Sequence, residues 1–304
     1  MNQPPLVSIL INNYNYGRFL RQAIDSALGQ TYPQVEVIVV DDGSTDDSAD
    51  ILNSYAGQIH TVWQANAGQA SSFNAGFAAS QGEIICLLDA DDWFQPDKVA
   101  RVVEPLVAHP QAGWCFHPVQ LWEDTLPSPR LPEVYTGKSG YYDITASIER
   151  GKLDGMLPFG GTATSGLCFT RSLLSQILPM PQASAVTLSD DYLKYVAYGL
   201  TPGYVLLEEL VVQRLHGHNA FTRRTDKHQL KARIHVLTAH WMRRNFPQLR
   251  RFANNLFAAG RSLYAGCDGI DANGQDWITQ YWQATPWSER AVIQFKTLYY
   301  QVKP

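Results

Sequence analysis

Three short polar clusters in the first hundred residues carry side chains suited to chemistry. The most acidic is Asp89-Ala90-Asp91-Asp92, which follows directly on the apolar run Glu83 to Leu88. Carboxylates this close repel one another, and a solvent-open strand end with a cation among them tolerates them best. Their hard oxygens suit Mg²⁺ or Mn²⁺, and such cations commonly bridge to substrate phosphates. The same acids could instead form the N-cap of a helix starting near Pro96. The second cluster is Asp41-Asp42-Gly43-Ser44. A carboxylate at a strand end accepts N–H or O–H groups from a ligand, such as a nucleobase imide or ribose hydroxyls. A plain turn with a capping serine is the alternative. The third cluster is Asn12 to Asn15.

The elements around these clusters follow from periodicity. Val7 to Ile11 is a short β-rich run, and Arg18 to Leu28 has the apolar spacing of a helix through Phe19, Leu20, Ala23, Ile24, Ala27 and Leu28. Glu36 to Val40 is a second buried strand. A helix through Ala49, Ile51, Leu52 and Tyr55 follows, with Ser44 or Thr45 as its cap. Ile59 to Trp63, Gly68 to Ala79 and Glu83 to Leu88 read as strand, helix and strand. Alternating strands and helices predict a parallel, doubly wound α/β sheet. Ligands of such sheets bind beyond the carboxyl ends of the strands, where all three clusters fall.

Further on, Gly113 to Leu121 reads as a strand and 124–140, with three prolines and two glycines, as a long loop. Gly160 to Gly166 is a flexible segment before the strand Leu167 to Thr170. Asp190 to Tyr198 reads as a helix and Tyr204 to Arg214 contains another strand. Beyond residue 225 the pattern is helical, with Thr285-Pro286 as a helix start.

The 304 residues are 45% hydrophobic and 17% charged, which fits a folded core and excludes wholesale disorder. Apolar runs fall short of the roughly 20 residues of a membrane span, and no signal peptide is expected at the N-terminus. Cys86, Cys115, Cys168 and Cys267 form no CxxC pair and read as buried free thiols. A cytoplasmic protein is therefore expected. Net charge is −4, but residues 1–213 carry −13 and residues 214–261 carry +10. The acidic part suits a metal, and the basic part suits phosphates, an anionic substrate or an anionic membrane surface. A solvated helix face is the plain alternative.

The stretches VSILINNYNYGRFLRQAIDSALGQTYPQVEVIVVDDGSTDDS and NAGQASSFNAGFAASQGEIICLLDADDWFQPDKV, with the later SDDY and RLHGHN, resemble the family 2 glycosyltransferases of GT-A fold. The resemblance is dense over residues 6–105 and thins to isolated motifs up to about 219. It implies an α/β fold, a Rossmann-like, mostly parallel sheet flanked by helices over 1–222, with a helical C-terminal extension over 223–304. It implies an inverting transfer from a nucleotide-diphosphate sugar, most simply a UDP-sugar, to an acceptor hydroxyl in bacterial polysaccharide, glycolipid or glycoconjugate synthesis. By this resemblance Asn12, Tyr14, Asp41, Asp42, Gly68, Asp89 and Ala90 belong to nucleotide binding. Asp91, Asp89 and His216 would hold Mn²⁺ or Mg²⁺. Asp191, with Asp190 beside it, matches the general base, and Gly161, Thr162 and Trp93 fall to the acceptor side or a lid.

Each motif also has a structural reading. Asp190 and Asp191 suit the first turn of a helix, Tyr14 and Trp93 suit a core, and His216 suits the surface of the basic segment. The chain departs from the family pattern at Asn12, where Pro is common, at Phe73, where a basic residue often precedes the Asn, and at Asp190, where Glu is usual. A phosphotransferase with Asp89 as nucleophile is disfavoured, because Asp92 stands where such a motif has Thr or Val. A non-catalytic sugar-nucleotide or glycan-binding module is the other reading. The acceptor is expected to be a carbohydrate or lipid-linked, and nucleic acid is not expected as a partner. Trp241, Trp277, Trp282 and Trp287 in the basic, helical tail permit peripheral membrane contact. A homodimer interface or packing within the chain is preferred.

Overall fold

The strand-forming runs of the N-terminal hundred residues lie side by side in one sheet. The computed structural model describes residues 3–123, 137–152, 157–158, 162–181, 190–217, 219, 226–267 and 269–302. Strands and helices alternate through β1 (Val7–Asn13), α1 (Gly17–Leu28), β2 (Val35–Asp41), α2 (Ser48–Ser54), β3 (His60–Trp63), α3 (Gln69–Ala79) and β4 (Ile84–Asp89). Next come β5 (Trp93–Phe94), α4 (Lys98–Ala108), β6 (Trp114–Phe116), β7 (Gln120–Glu123), β8 (Gly140–Tyr142) and α5 (Thr145–Glu149). The chain continues through β9 (Leu167–Thr170), α6 (Arg171–Ile177), α7 (Asp190–Leu200), β10 (Gly203–Val205) and β11 (Val211–Leu215). Four helices complete it, α8 (Lys227–Asn245), α9 (Arg250–Tyr264), α10 (Ala272–Gln283) and α11 (Trp287–Val302).

The sheet order is β3-β2-β1-β4-β9-β6-β10-β8, and a small sheet β5-β11-β7 stands apart. β3, β2, β1 and β4 are mutually parallel, and β9 runs antiparallel to both β4 and β6. The result is a mixed α/β architecture with a large central sheet. The expected strand over 113–121 is two strands in different sheets. Pro118 between them lacks the N–H that a continuing central strand needs. The expected strand within 204–214 is likewise two, β10 in the large sheet and β11 in the small one.

One sheet face is closed by α1, α2 and α4. Leu20, Ala23, Ile24 and Ala27 recur at helical spacing on α1 and are buried with Ile9, Ile11, Val37, Val39, Cys86 and Leu88. The opposite face receives α3. Gly76 permits that approach, since a Cβ there would stand 3.2 Å from Val40 Cγ2. Cys86, Cys168 and Cys115 face one another across β4, β9 and β6, all free and buried. The wholly buried Lys98 ammonium lies 3.2 Å from Cys168 Sγ and 3.8 Å from the Phe94 ring centre. A buried lysine needs such partners.

The chain divides into two compact units. The first comprises Met1–Asp143, Gly155–Met180 and Leu200–Gly217, the second Ile144–Asp154, Pro181–Gly199 and His218–Pro304. The second unit thus takes in α5 and α7 as well as the helical tail. Several of its aromatics pack inward. Phe257 stacks on Tyr281 at 3.8 Å between ring centres, Trp282 meets Phe257 edge-on, and Trp241 lies against Trp277. Part of the basic charge is also used internally, since Arg243 and Arg250 pair with Glu289, and Arg233 with Asp271. Trp287 and Phe295 on α11 are exposed. Among the described residues no helix is long and apolar enough to cross a membrane.

Candidate active site

The parallel register sets Asn12 opposite both Val40 and Asp89, and Asn13 opposite Asp41. Alternation of side chains then sorts the polar groups between the two faces of the sheet. On one face Asn13 Nδ2 donates to Asp41 Oδ2 at 2.8 Å and to Ser48 Oγ at 2.9 Å, while the Ser44 N–H donates to Asp41 Oδ1 at 2.9 Å. Asp42 turns to the start of α3. It accepts the Ala67 and Gly68 N–H groups at 2.8 Å each and Gln64 Nε2 at 2.6 Å. Both aspartates are buried. They fasten the β2–α2 turn and the N-terminus of α3, where Gly68 adopts φ 85°, a conformation that favours glycine.

Asn12 is in a different condition. Its Nδ2 and Oδ1 are buried and have no hydrogen-bond partner among the described residues. An unpaired buried amide costs about 1–3 kcal/mol, so a ligand that pairs with it recovers that cost. Tyr14 stands out beside it, nearly half exposed. The loop carrying Tyr14 is braced by Asn15, at φ 57°, whose N–H donates to Ser44 Oγ and whose Oδ1 accepts the Thr45 N–H.

At the end of β4, Asp89 Oδ1 accepts Gln69 Nε2 at 3.1 Å. The Asp89 N–H donates to Ser165 Oγ at 3.1 Å, and that hydroxyl donates to Asp92 Oδ2 at 2.6 Å. The Arg214 N–H completes Asp92 by donating to its Oδ1 at 3.0 Å. Burial pushes the Asp92 carboxyl well up, and the charges of Asp91 and Asp89 add to this. Ala90 is buried and its N–H donates to the Asn12 carbonyl. Asp91 Oδ2 lies 2.9 Å from His216 Nε2. The His216 ring sits 4.7 Å from Phe19 and 5.7 Å from Tyr16. Tyr16 senses the cluster too: burial raises its phenol, and the Asp91 and Asp89 charges raise it further.

Around this core, the Arg214 guanidinium covers the rings of Phe19 and Trp93. Trp93 meets Trp122 edge-on at 5.9 Å. Thr162 is buried, and Gly161 lies outside the described residues. The structure thus gathers Asp89, Asp91 and His216 in the first unit, with Asn12 on the neighbouring strand. Ser165, Gln69, Arg214, Phe19 and Tyr16 join them, although the sequence reading gives none of them a place in the site. Arg214 stands in the RLHGHN motif, and a signal for it was present. Ser165 sits in a Gly/Thr/Ser stretch with nothing to tie it to residues 89–92.

Asp190 and Asp191 stand in the second unit, in the first turn of α7. The Lys194 ammonium lies 3.1 Å from Asp190 Oδ2 and 2.9 Å from Asp191 Oδ1. The two carboxylates keep 21% and 25% of their side-chain surface exposed, which leaves them reachable. Burial works to raise Asp191, but the lysine outweighs it and holds this carboxyl below its ordinary value. At Asp190 burial prevails and, with the Asp191 charge, raises the carboxyl.

Among the described residues no group of three His, Cys, Asp or Glu side chains is placed to hold a metal by itself. The donor set still fits a shared cation. Asp91 and His216 offer a carboxylate oxygen and an imidazole nitrogen 2.9 Å apart, with Asp89 two residues before Asp91. Oxygen-rich sites that leave positions to water and substrate phosphate are usual for Mg²⁺ and Mn²⁺.

Residues 8–155 match the family described as Glycosyl transferase family 2. An uncharacterized glycosyltransferase of Nostoc sp. is 29% identical over 300 residues, 94% of this chain and 85% of that protein. Among solved structures, S. aureus TarS 1–349 in complex with UDP-GlcNAc superposes with a TM-score of 0.64 at 15% identity, over 97% of this chain and 89% of that one. The mannosyltransferase PcManGT from Pyrobaculum calidifontis, in complex with GDP-Man and Mn²⁺, gives 0.55 at 18% identity, over 99% and 87%. The sheet seen here is thus the GT-A fold, the chain is a glycosyltransferase, and over residues 8–155, just under half its length, it matches family 2.

Proposed function

We propose that this enzyme transfers a sugar from a nucleoside diphosphate to an acceptor hydroxyl with inversion at the anomeric carbon, and that a UDP-sugar is its donor. The observation that carries this reading is the strand-end cluster, an unpaired buried amide at Asn12 beside Asp89 and the Asp91–His216 pair. UDP-GlcNAc in the TarS complex supports uridine, while GDP-Man in PcManGT keeps guanosine as the donor to be tested against it.

In this reading Tyr14 and Asn12 receive the nucleobase, and Asp89 lies toward the ribose. Asp41 and Asp42 support them by fixing the loops on either side. Asp91 and His216, with Asp89, would hold Mn²⁺ or Mg²⁺. When bound, the cation stabilises negative charge on the departing diphosphate. Asp191 takes the acceptor's hydroxyl proton. The acceptor oxygen forms its bond to the anomeric carbon as the bond to the phosphate oxygen breaks, and the electron pair leaves on the diphosphate. One displacement inverts the centre, and no covalent sugar–enzyme intermediate is formed. In this reading the acceptor is a carbohydrate or a lipid-linked molecule.

The test is to supply UDP-GlcNAc, other UDP-sugars and GDP-mannose with Mn²⁺ and a panel of sugar acceptors. Diphosphate release is followed by ³¹P NMR and the product's anomeric coupling by ¹H NMR. An α-linked donor is expected to give a β-linked product. An α-linked product would overturn the single displacement.

A further inference from the structure

The acid pair of α7 has a cation built into its own helix. Lys194 follows Asp190 by four residues and Asp191 by three, the spacing that brings side chains together on a helix surface. Its ammonium meets one oxygen of each carboxylate, at 3.1 and 2.9 Å, and keeps only 11% of its side-chain surface. Two adjacent carboxylates repel each other, and the shared ammonium offsets that repulsion while bonding one oxygen of each.

We propose that Lys194 is a positioning residue for the general base: bridging Asp190 and Asp191, it fixes the Asp191 carboxylate in one orientation and keeps it ionised to receive the acceptor's proton. The proposal rests on the reading of Asp191 as that base.

Among the described residues, the other groups near Asp191 act on it more weakly than Lys194 does. From α8, His235 and Lys231 contribute positive potential. His235 is buried, with no hydrogen-bond partner for Nδ1 among the described residues, and burial pushes it down to about 4, so it is neutral at neutral pH and adds its positive charge only in the acid range where Asp191 itself titrates. Lys231 is exposed, and solvent and salt screen it. Tyr195 and Tyr198 of α7 have phenols raised mainly by burial and stay neutral. Lys194 itself is held protonated, because its two carboxylates outweigh the effect of burial. An opposite charge at this range lowers a carboxyl by about 1–3 pH units.

The sign follows. Asp191 must be ionised to act, so activity falls on the acid side as pH drops through its pKa. Removing the ammonium raises that pKa and moves the acid limb upward.

The experiment compares wild type with Lys194→Met, Lys194→Gln and Lys194→Arg. Aspartate carboxyls are followed by ¹³C NMR from pH 2.5 to 8, with Asp190→Asn and Asp191→Asn for assignment. The pH profile of kcat is measured in parallel, with the donor sugar that the transfer assay selects. In Lys194→Met and Lys194→Gln the Asp191 titration and the acid limb of kcat are expected to rise together, by at least about one pH unit. The donor KM should stay within about twofold, and Lys194→Arg should restore the wild-type limb. If Lys194→Met fails to fold, Lys194→Gln, which keeps an amide donor without the charge, gives the same reading. A wild-type Asp191 that titrates no lower than an ordinary carboxyl overturns the proposal, with no variant needed. An unmoved acid limb, or a loss of kcat equal at every pH, also overturns it. Should Asp191→Asn keep full activity while the NMR shift still appears, the base assignment fails and the lysine's electrostatic effect stands.

Discussion

The carboxylates at the end of β4 are fixed by partners drawn from far along the chain, whereas Asp190 and Asp191 are fixed by a lysine one turn away. Asp92 takes its hydrogen bonds from residues 73 and 122 positions distant, and Asp91 meets a histidine 125 positions distant. Lys194 lies three and four positions from its acids. The first arrangement exists only when β9 and β11 are in place beside β4 and β5. The second is written into a single helical turn. A site that must hold several acids together is secured by the fold at large. A proton acceptor can be tuned locally, one residue at a time.

Substitutions in the two places should therefore differ in kind. The largest expected effect is that of Asp191→Asn, which removes the proposed proton acceptor but keeps its shape. A fall in kcat of about 10²–10⁴-fold is expected, with nucleotide affinity and thermal midpoint close to wild type. Kinetics combined with thermal denaturation checks this, and a variant that loses stability in proportion to activity would break the contrast. Ser165→Ala should act mainly on stability. The hydroxyl that joins the Asp89 N–H to Asp92 is lost, and a buried group stripped of its partner costs about 1–3 kcal/mol. Thermal denaturation should register this as a midpoint several degrees lower. An unchanged midpoint would mean that the strand-end cluster does not depend on its distant partner.

The same division governs what the sequence reveals. The strands β1, β2 and β4 are legible as short apolar runs and helices α1 and α2 by their apolar spacing, and the polar clusters at the strand ends follow from chain direction alone. The acids of the DADD run and the late histidine are legible as motifs. Ser165 is not, because a lone serine becomes a link between residues 89 and 92 only through strand order. The split of 113–121 is marked by Pro118, a local signal. Lys194 is also marked, by its spacing from two acids on an expected helix, a signal that the first-turn reading of Asp190 and Asp191 leaves unused. The division into units is not legible. Helical periodicity shows that α7 and the tail helices form, and says nothing of which of them cluster.

The Asn12 amide, which has no hydrogen-bond partner among the described residues, and the Asp91–His216 pair carry the proposed nucleotide binding, and calorimetry tests it most directly. UDP, GDP, dTDP and CDP are titrated into wild type and Asp91→Ala, with and without Mn²⁺. The account predicts that one nucleotide, UDP first, binds wild type in a Mn²⁺-dependent manner, and that Asp91→Ala weakens this binding at least about tenfold. Folded wild-type protein that binds none of the four under either condition would contradict it, as would an Asp91→Ala variant that binds as tightly as wild type.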